Sequence, residues 1–174
     1  LRCLVGSEMC IRDRLRKNRK ASRKFYSKKE LMISKTIAEQ MDQTREMTRF
    51  YLSQLKAKNP YKIHVINSKK INPIIWEIGH LTVTQNWLVM YLCKGPAERI
   101  SWAKTFGMGS SPSVNKEDYP PYDEVWNMFK YIHQKSLHFV SALSNDDLNK
   151  SIDKDLFFLR SNTYKDAIMH SIRH

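Results

Sequence analysis

The chain has 174 residues, of which 41% are hydrophobic and 27% are charged, a size and composition typical of one globular domain. Its 5 Gly, 6 Pro and 3 Cys exclude collagen-like, low-complexity and disulfide-framework proteins. The longest stretch without a formal charge, Ile78–Cys93, is too short and too polar to span a bilayer. We therefore expect a cytoplasmic protein that has no membrane partner.

The net charge of +13 is concentrated near the N-terminus. Residues 1–30 carry 11 Lys and Arg against 3 Asp and Glu, whereas residues 31–174 carry 19 against 14. Nucleic-acid binding requires basic charge clustered on a folded surface, and the pattern of residues 31–174 does not indicate such a cluster. Nucleic-acid binding through the basic residues 1–30 is accordingly the weakest functional hypothesis; an enzyme and a non-catalytic binding protein are the two others.

The first 14 residues resemble a peptide that arises when sequencing-adapter DNA is translated in frame. Residues 1–30 contain few apolar side chains after Ile11 and a dense run of like charge, so we expect a non-native or disordered basic leader. A transit peptide and a nucleic-acid-binding arm are the alternatives. We expect residues 31–174 to form the domain.

Hydrophobic periodicity predicts a first helix over residues 31–58 that ends at Asn59-Pro60. A basic loop or a short extended piece follows at residues 61–70. The second helix is predicted over residues 73–93, with Asn72 as N-cap and a proline in its first turn. It is apolar on most faces, which is typical of the buried centre of a helical bundle.

The connection over residues 97–121 is long, and we expect it to contain one short helix at residues 97–104. A third helix is predicted over residues 122–143, followed by a short helical or irregular segment. The fourth helix begins after Thr163, with Asp166 as its capping partner, and no helix-ending residue precedes the end of the sequence. These elements predict an all-α four-helix bundle with a long crossover loop and a truncated last helix.

Three of the six histidines are candidate metal ligands. His80 lies in the middle of the apolar second helix, although a lone histidine there is more often a hydrogen-bonded core residue. His170 and His174 are four residues apart and share one helix face, the spacing by which a helix presents two ligands to one zinc ion. Such a pair also arises often by chance.

The other three histidines fit a metal site less well. His133 and His138 are five residues apart, so they diverge by about 140° around a helix and are predicted to be core-edge and surface residues. His64 lies in a lysine-rich loop and is expected to be solvated.

The segment Trp76–Leu81 resembles the W-x-x-G-H-L element of the DinB/YfiT-like family of metal-dependent four-helix-bundle proteins. The Tyr119–Pro121 segment, the turn at Leu143–Leu148 and the final Met169–His174 segment are similar to further family elements. The resemblance covers roughly residues 32–174.

This resemblance implies a divalent metal, zinc or nickel, held by a histidine triad. In the register that fits best, His80 matches the first ligand and His174 the second, and the third would lie beyond the end of the sequence. An alternative register pairs His170 with His174. The resemblance further implies a small-molecule substrate, thiol S-transfer with a low-molecular-weight thiol or else hydrolysis, and a homodimer.

The roles of Glu77 and of two aromatic residues in the long loop each allow two interpretations. Glu77 lies three residues before His80 on nearly the same helix face. It is a candidate general base, although a carboxylate that simply favours the first turns of a helix is the simpler interpretation. Trp102 and Tyr119 are either residues at the mouth of the site or anchors of the long loop. A non-catalytic metal-binding or stress-response bundle is the alternative to an enzyme.

Overall fold

A computed structural model describes residues 33–55 and 59–174, so the predictions for the basic leader lie outside the described residues. Its elements, in chain order, are α1 over 33–54, β1 His64–Ile66, β2 Lys69–Ile71, α2 Ile74–Gln85, a π-helix Asn86–Tyr91, α3 Ala103–Phe106, a 3₁₀ turn Lys116–Asp118, α4 Tyr122–Ser141, α5 Asn145–Leu148 and α6 Tyr164–Arg173. None of the helices in these ranges is long and apolar enough to cross a membrane.

Four longer elements form the body of the molecule: α1, α2 with its π-helical continuation, α4 and α6. The predicted all-α bundle is therefore confirmed. The strands β1 and β2 form an exposed antiparallel hairpin in the segment predicted as a loop or extended piece. Asn67 and Ser68 connect them with φ values of 49° and 61°, as a tight two-residue hairpin turn requires.

The buried apolar side chains form two clusters at different levels of the bundle. One cluster joins the first half of α1 to the π-helix, the end of α4 and α6, with Met41, Leu88, Val140 and Ile168 among its members. The other joins the start of α2 to α3 and the start of α4, with Ile78, Phe106 and Phe129 among its members. Burial of these side chains is the main stabilising contribution to the fold.

A layer of buried polar side chains lies between the two apolar clusters and connects all four helices. Arg45 of α1 is 4% exposed; it donates from Nε to Gln85 Oε1 at 3.1 Å and from Nη2 to the Ser171 carbonyl of α6 at 3.2 Å. The Gln85 side chain lies 3.3 Å from His133 Nδ1, and His133 Nε2 lies 2.9 Å from Asp42 Oδ1. Arg45, Gln85 and His133 thereby each have hydrogen-bonding partners, which limits the cost of removing them from water.

Of the two helix caps predicted from the sequence, one is confirmed and one is wrong. Thr163 Oγ1 accepts the backbone N–H of Asp166 at 3.2 Å, as predicted for α6. Ser144 forms a reciprocal capping box with Asp147 at the start of α5. The predicted N-cap of α2 is wrong: Pro73 occupies that position, and the Asn72 side chain instead bonds a carboxylate one turn into the helix.

The predicted uninterrupted second helix is also corrected. From Asn86 to Tyr91 the helix is a π-helix, in which the Leu92 N–H bonds the Trp87 carbonyl five residues back at 2.9 Å. The Asn86 side chain exchanges hydrogen bonds of 2.9 and 3.0 Å with the backbone of Glu98. This pairing holds Glu98 in a non-helical segment, so the short helix predicted at residues 97–104 begins only at Ala103.

His133 was predicted at the edge of the core, and the structure buries it more deeply. It is 1% exposed, because Gln85 and Asp42 provide partners for both ring nitrogens inside the polar layer. Burial lowers the pKa of His133 below its ordinary 6.5, and the hydrogen bond from His133 lowers the pKa of the Asp42 carboxyl below 3.8. His138 and His64 are exposed, as expected.

We predict that the protein loses stability as the pH is lowered from 7.5 to 5.5. The unfolded chain takes up a proton on His133 near pH 6.5, whereas the folded chain, with its lowered pKa, takes up this proton only at lower pH. The Asp42 contribution is lost only at lower pH, because its folded-state pKa lies below 3.8.

Urea unfolding at several pH values measures the effect. His133→Gln keeps hydrogen-bonding capacity without titrating, so its free energy of unfolding should depend less steeply on pH, by up to about 1.4 kcal/mol per pH unit. Equal slopes for the two proteins would contradict the assignment.

Candidate metal centre

Two histidines from distant parts of the sequence meet at one end of the polar layer. His80 Nε2 of α2 and His174 Nε2, at the end of α6, lie 2.8 Å apart. Their ring centroids are 5.0 Å apart, and the ring planes are inclined at 50°. Helix packing therefore brings two imidazole nitrogens into the same small volume.

Two contacts fix the His80 ring on its other sides. The Trp76 ring, one helical turn earlier, stacks on it with a centroid distance of 4.7 Å and an interplanar angle of 9°. His80 Nδ1 lies 2.7 Å from the Phe106 carbonyl oxygen. Because a carbonyl can only accept a hydrogen bond, Nδ1 carries the ring proton, and a neutral ring then keeps its Nε2 lone pair on the side of His174.

Gly79 explains how Phe106 comes so close to His80. A Cβ atom at position 79 would lie 2.4 Å from Phe106 Cδ1 and nearly as close to two further ring atoms. Phe106 is fully buried, so its ring has no room to move away. The W-x-x-G-H pattern thus combines a stacking ring, an open approach for Phe106 and the histidine that the Phe106 carbonyl orients.

The second histidine is held through α6. The hydrogen bond of Arg45 to the Ser171 carbonyl, one turn before His174, attaches the end of α6 to α1. The guanidinium charge also interacts favourably with the carbonyl end of a helix. Burial lowers the pKa of His174 below its ordinary value, and the nearby His80 and His170 lower it further. The imidazole is therefore neutral at neutral pH, which metal binding requires.

His170 lies one turn before His174 and faces the same region. Its ring is 5.8 Å from that of His174 and 4.7 Å from that of Phe158, centroid to centroid. Burial lowers its pKa, with a smaller effect from Arg173. His170 therefore adds a further imidazole near the pair, and its lowered pKa keeps it neutral at neutral pH.

A cavity of about 570 Å³ opens onto these three histidines. Its other lining residues come from α2, the π-helix and two loops: Val83, Thr84, Trp87, Leu88, Met108 and Phe158. The volume falls within the range of small-molecule sites in proteins. A ligand in the cavity would reach the histidine pair directly.

The remaining candidate residues lie away from the cavity wall. Glu77 is exposed and accepts a hydrogen bond from Asn72 Nδ2 at 2.7 Å in the first turn of α2. Trp102 Nε1 donates to Glu124 at 2.7 Å, and the buried Tyr119 donates to the Ser113 carbonyl at 3.0 Å. The two aromatic residues therefore anchor the long loop.

Within residues 33–55 and 59–174, no group of three or more His, Cys, Asp or Glu side chains is arranged to hold a metal ion. The geometry does bring two imidazoles together, and the second ring nitrogen of His80 is bonded to a backbone carbonyl. Such a carbonyl partner is common behind metal-binding histidines, because it fixes the tautomer and the ring orientation.

Comparison with known families identifies the superfamily of the chain. The family model described as the DinB superfamily matches residues 40–174. This chain belongs to the DinB superfamily. The match supports a metal-dependent type of protein at the level of the family and assigns no particular activity or metal to this DinB protein. Curated proteins and solved structures give no significant match.

Sequence reasoning missed three contributors to the site of this DinB protein. Phe106 acts through its carbonyl oxygen, which no side-chain pattern identifies, although Gly79 in a helix was a signal of close approach. Arg45 belongs to an ordinary-looking charged face of α1, and Phe158 to an irregular segment. Their roles depend on packing between distant segments.

We predict that Gly79→Ala destabilises the DinB protein by about 1–3 kcal/mol, the usual cost of overpacking a core. Alanine would otherwise gain up to about 1 kcal/mol inside a helix, but the contact with the Phe106 ring outweighs that gain. Chemical denaturation measures the difference.

Gly107→Ala is the matched control. Its Cβ would meet only the Ala103 carbonyl oxygen at 3.4 Å and the Lys104 carbonyl oxygen at 3.9 Å, so a loss below about 0.5 kcal/mol is expected. A stability of Gly79→Ala equal to that of the parent would show that Phe106 does not require a glycine there.

Proposed function

We propose that this DinB superfamily protein is a metal-dependent enzyme acting on a small molecule, with His80 and His174 holding a divalent zinc or nickel ion. The observation that carries the proposal is the 2.8 Å approach of the two Nε2 atoms, combined with the bond from His80 Nδ1 to the Phe106 carbonyl. Imidazole nitrogens are preferred ligands for zinc and suit nickel.

The donor set fits such an ion with a small adjustment. Two nitrogens bound to one tetrahedral zinc ion at about 2.1 Å each are separated by about 3.4 Å, so the two rings would need to separate slightly from 2.8 Å. Small side-chain rotations accommodate such a change. Water or substrate would occupy the positions that the two imidazoles leave open, whereas catalytic zinc sites commonly have three protein ligands and one such position.

His80 and His174 belong to both registers, and the packing of His170 favours the register in which His170 is not a ligand. The two Nε2 atoms of His80 and His174 are already in contact, whereas the ring of His170 packs against Phe158. In this proposal His170 is a wall residue of the cavity.

The adjacent cavity favours catalysis over a purely metal-binding or stress-response role. A protein that only stores or senses a metal has no need for a ligand-sized space of about 570 Å³ beside the histidines. A divalent ion there would supply a Lewis acid that lowers the pKa of a thiol or a water molecule. The chain's own residues would orient the ligand and exclude bulk water.

Among the two reaction types, thiol transfer fits the described lining better than hydrolysis. Apart from the histidines, Thr84 is the polar residue in the described wall, so few groups are available to hold an attacking water molecule. In thiol transfer, the thiol sulfur bonds to a carbon of an alkylating electrophile. The leaving group departs with its bonding electrons, and the thiol proton passes to water.

Glu77 has no assigned step in this proposal. Its hydrogen bond with Asn72 and its place in the first turn of α2 support the simpler role of stabilising the helix start. Its carboxylate nonetheless raises the pKa of His174 slightly against the larger effects that lower it.

Titration calorimetry of the full chain with zinc tests the metal pair. We predict that His80→Ala and His174→Ala each weaken zinc binding by about tenfold or more, because a water molecule must replace an oriented imidazole. Helicity by circular dichroism should remain near that of the parent, since His80 is only partly buried and His174 is exposed.

The exposed His138 provides the control, because His138→Ala removes an imidazole that lies outside the proposed site. Its zinc affinity should equal that of the parent. Equal weakening by all three substitutions, or by none of them, would show that the ion is not held by His80 and His174.

A further inference from the structure

The wall of the cavity is almost entirely apolar outside the three histidines. Val83, Leu88, Trp87, Met108 and Phe158 supply aliphatic, thioether and aromatic surface. Trp87 belongs to the π-helix, and π-helical turns occur frequently at functional sites. The deviation from α-helical geometry therefore places an aromatic side chain in the wall of the site.

No Asp, Glu, Lys or Arg is present among the lining residues that the structure describes. A charged group inside such a wall would lose its hydration without gaining an ion pair. Lys154 lies 5.9 Å from the centroid of the Trp87 ring, but it is not part of the wall. Among the described lining residues, the three histidines and Thr84 offer polar partners to a ligand.

We propose that the cavity selects a thiol whose body, meaning all of the molecule except the thiol group, is apolar and of the size of an aromatic ring. A hydrophilic or charged thiol would bind less well. This inference rests on the proposed function for the thiol end of the ligand, which faces His80 and His174. The body of the ligand lies against Phe158 and Trp87, where ring–ring and apolar contacts stabilise it. Met108, which is 70% exposed, covers the outer side.

Two thiols test the proposal: 2-phenylethanethiol and 2-mercaptoethanesulfonate. They share the thiol group and the two-carbon linker and differ in the phenyl or sulfonate group at the other end. Their binding to the full chain is measured by titration calorimetry, with one equivalent of zinc and without zinc. The proposal predicts that the phenyl compound binds about tenfold tighter or more in both conditions, because only its body matches the wall. Equal affinities, or a preference for the sulfonate, would overturn it.

Neighbouring phenylalanines provide a matched pair of variants. Phe158→Ala removes a wall residue and should weaken binding of the phenyl compound by about fivefold or more. Phe157→Ala removes a side chain that is 94% exposed and absent from the wall, so it should change the affinity by less than about twofold. Met108→Ala, in an exposed loop, is a second wall variant that retains the core and should weaken binding by about twofold.

The two proposals fail in different ways. If zinc does not bind but the zinc-free protein still prefers the phenyl compound, the proposed function fails and the apolar selectivity of the cavity is supported. If zinc binds as predicted but Phe158→Ala and Met108→Ala leave the affinity for the phenyl compound unchanged, the metal pair is retained and the proposed ligand class is wrong.

Discussion

The hydrogen bond from His80 Nδ1 to the Phe106 carbonyl is the interaction on which the site depends. At 2.7 Å it determines which ring nitrogen carries the proton, and thus which nitrogen is available to a ligand. It forms only because Gly79 leaves space for the Phe106 ring, and stacking on Trp76 restrains the ring plane. A backbone carbonyl 26 residues away in sequence therefore sets the chemistry of the histidine.

The polar layer positions His174, the second histidine of the site. Arg45 connects α1, α2 and the end of α6 through two hydrogen bonds, and burial lowers its pKa to about 10, which leaves it charged at neutral pH. The carbonyl end of a helix is a favourable environment for that charge. Because the same guanidinium holds Ser171 and Gln85, the position of His174 relative to His80 is coupled to the packing of the whole bundle.

Much of the fold could be predicted from the sequence, because its signals are local. Helix periodicity, the Thr163 cap and the apolar second helix all follow from neighbouring residues, and the W-x-x-G-H segment indicated the family. The π-helix, the burial of His133 and the contribution of Phe106 could not be predicted in this way. Each depends on a partner far along the chain: Glu98 for Asn86, Asp42 for His133, and Phe106 itself for His80.

The central claim is that His80 and His174 act as a pair with a defined tautomer at His80. A long-range ¹H–¹⁵N correlation spectrum of the histidine side chains during zinc titration tests it most directly. We expect His80 to be protonated on Nδ1 before zinc is added, and zinc to shift Nε2 of His80 and of His174 together while His80 Nδ1 keeps its proton. Protonation of His80 on Nε2 in the metal-free protein, or zinc-induced shifts confined to the exposed His64 and His138, would contradict it.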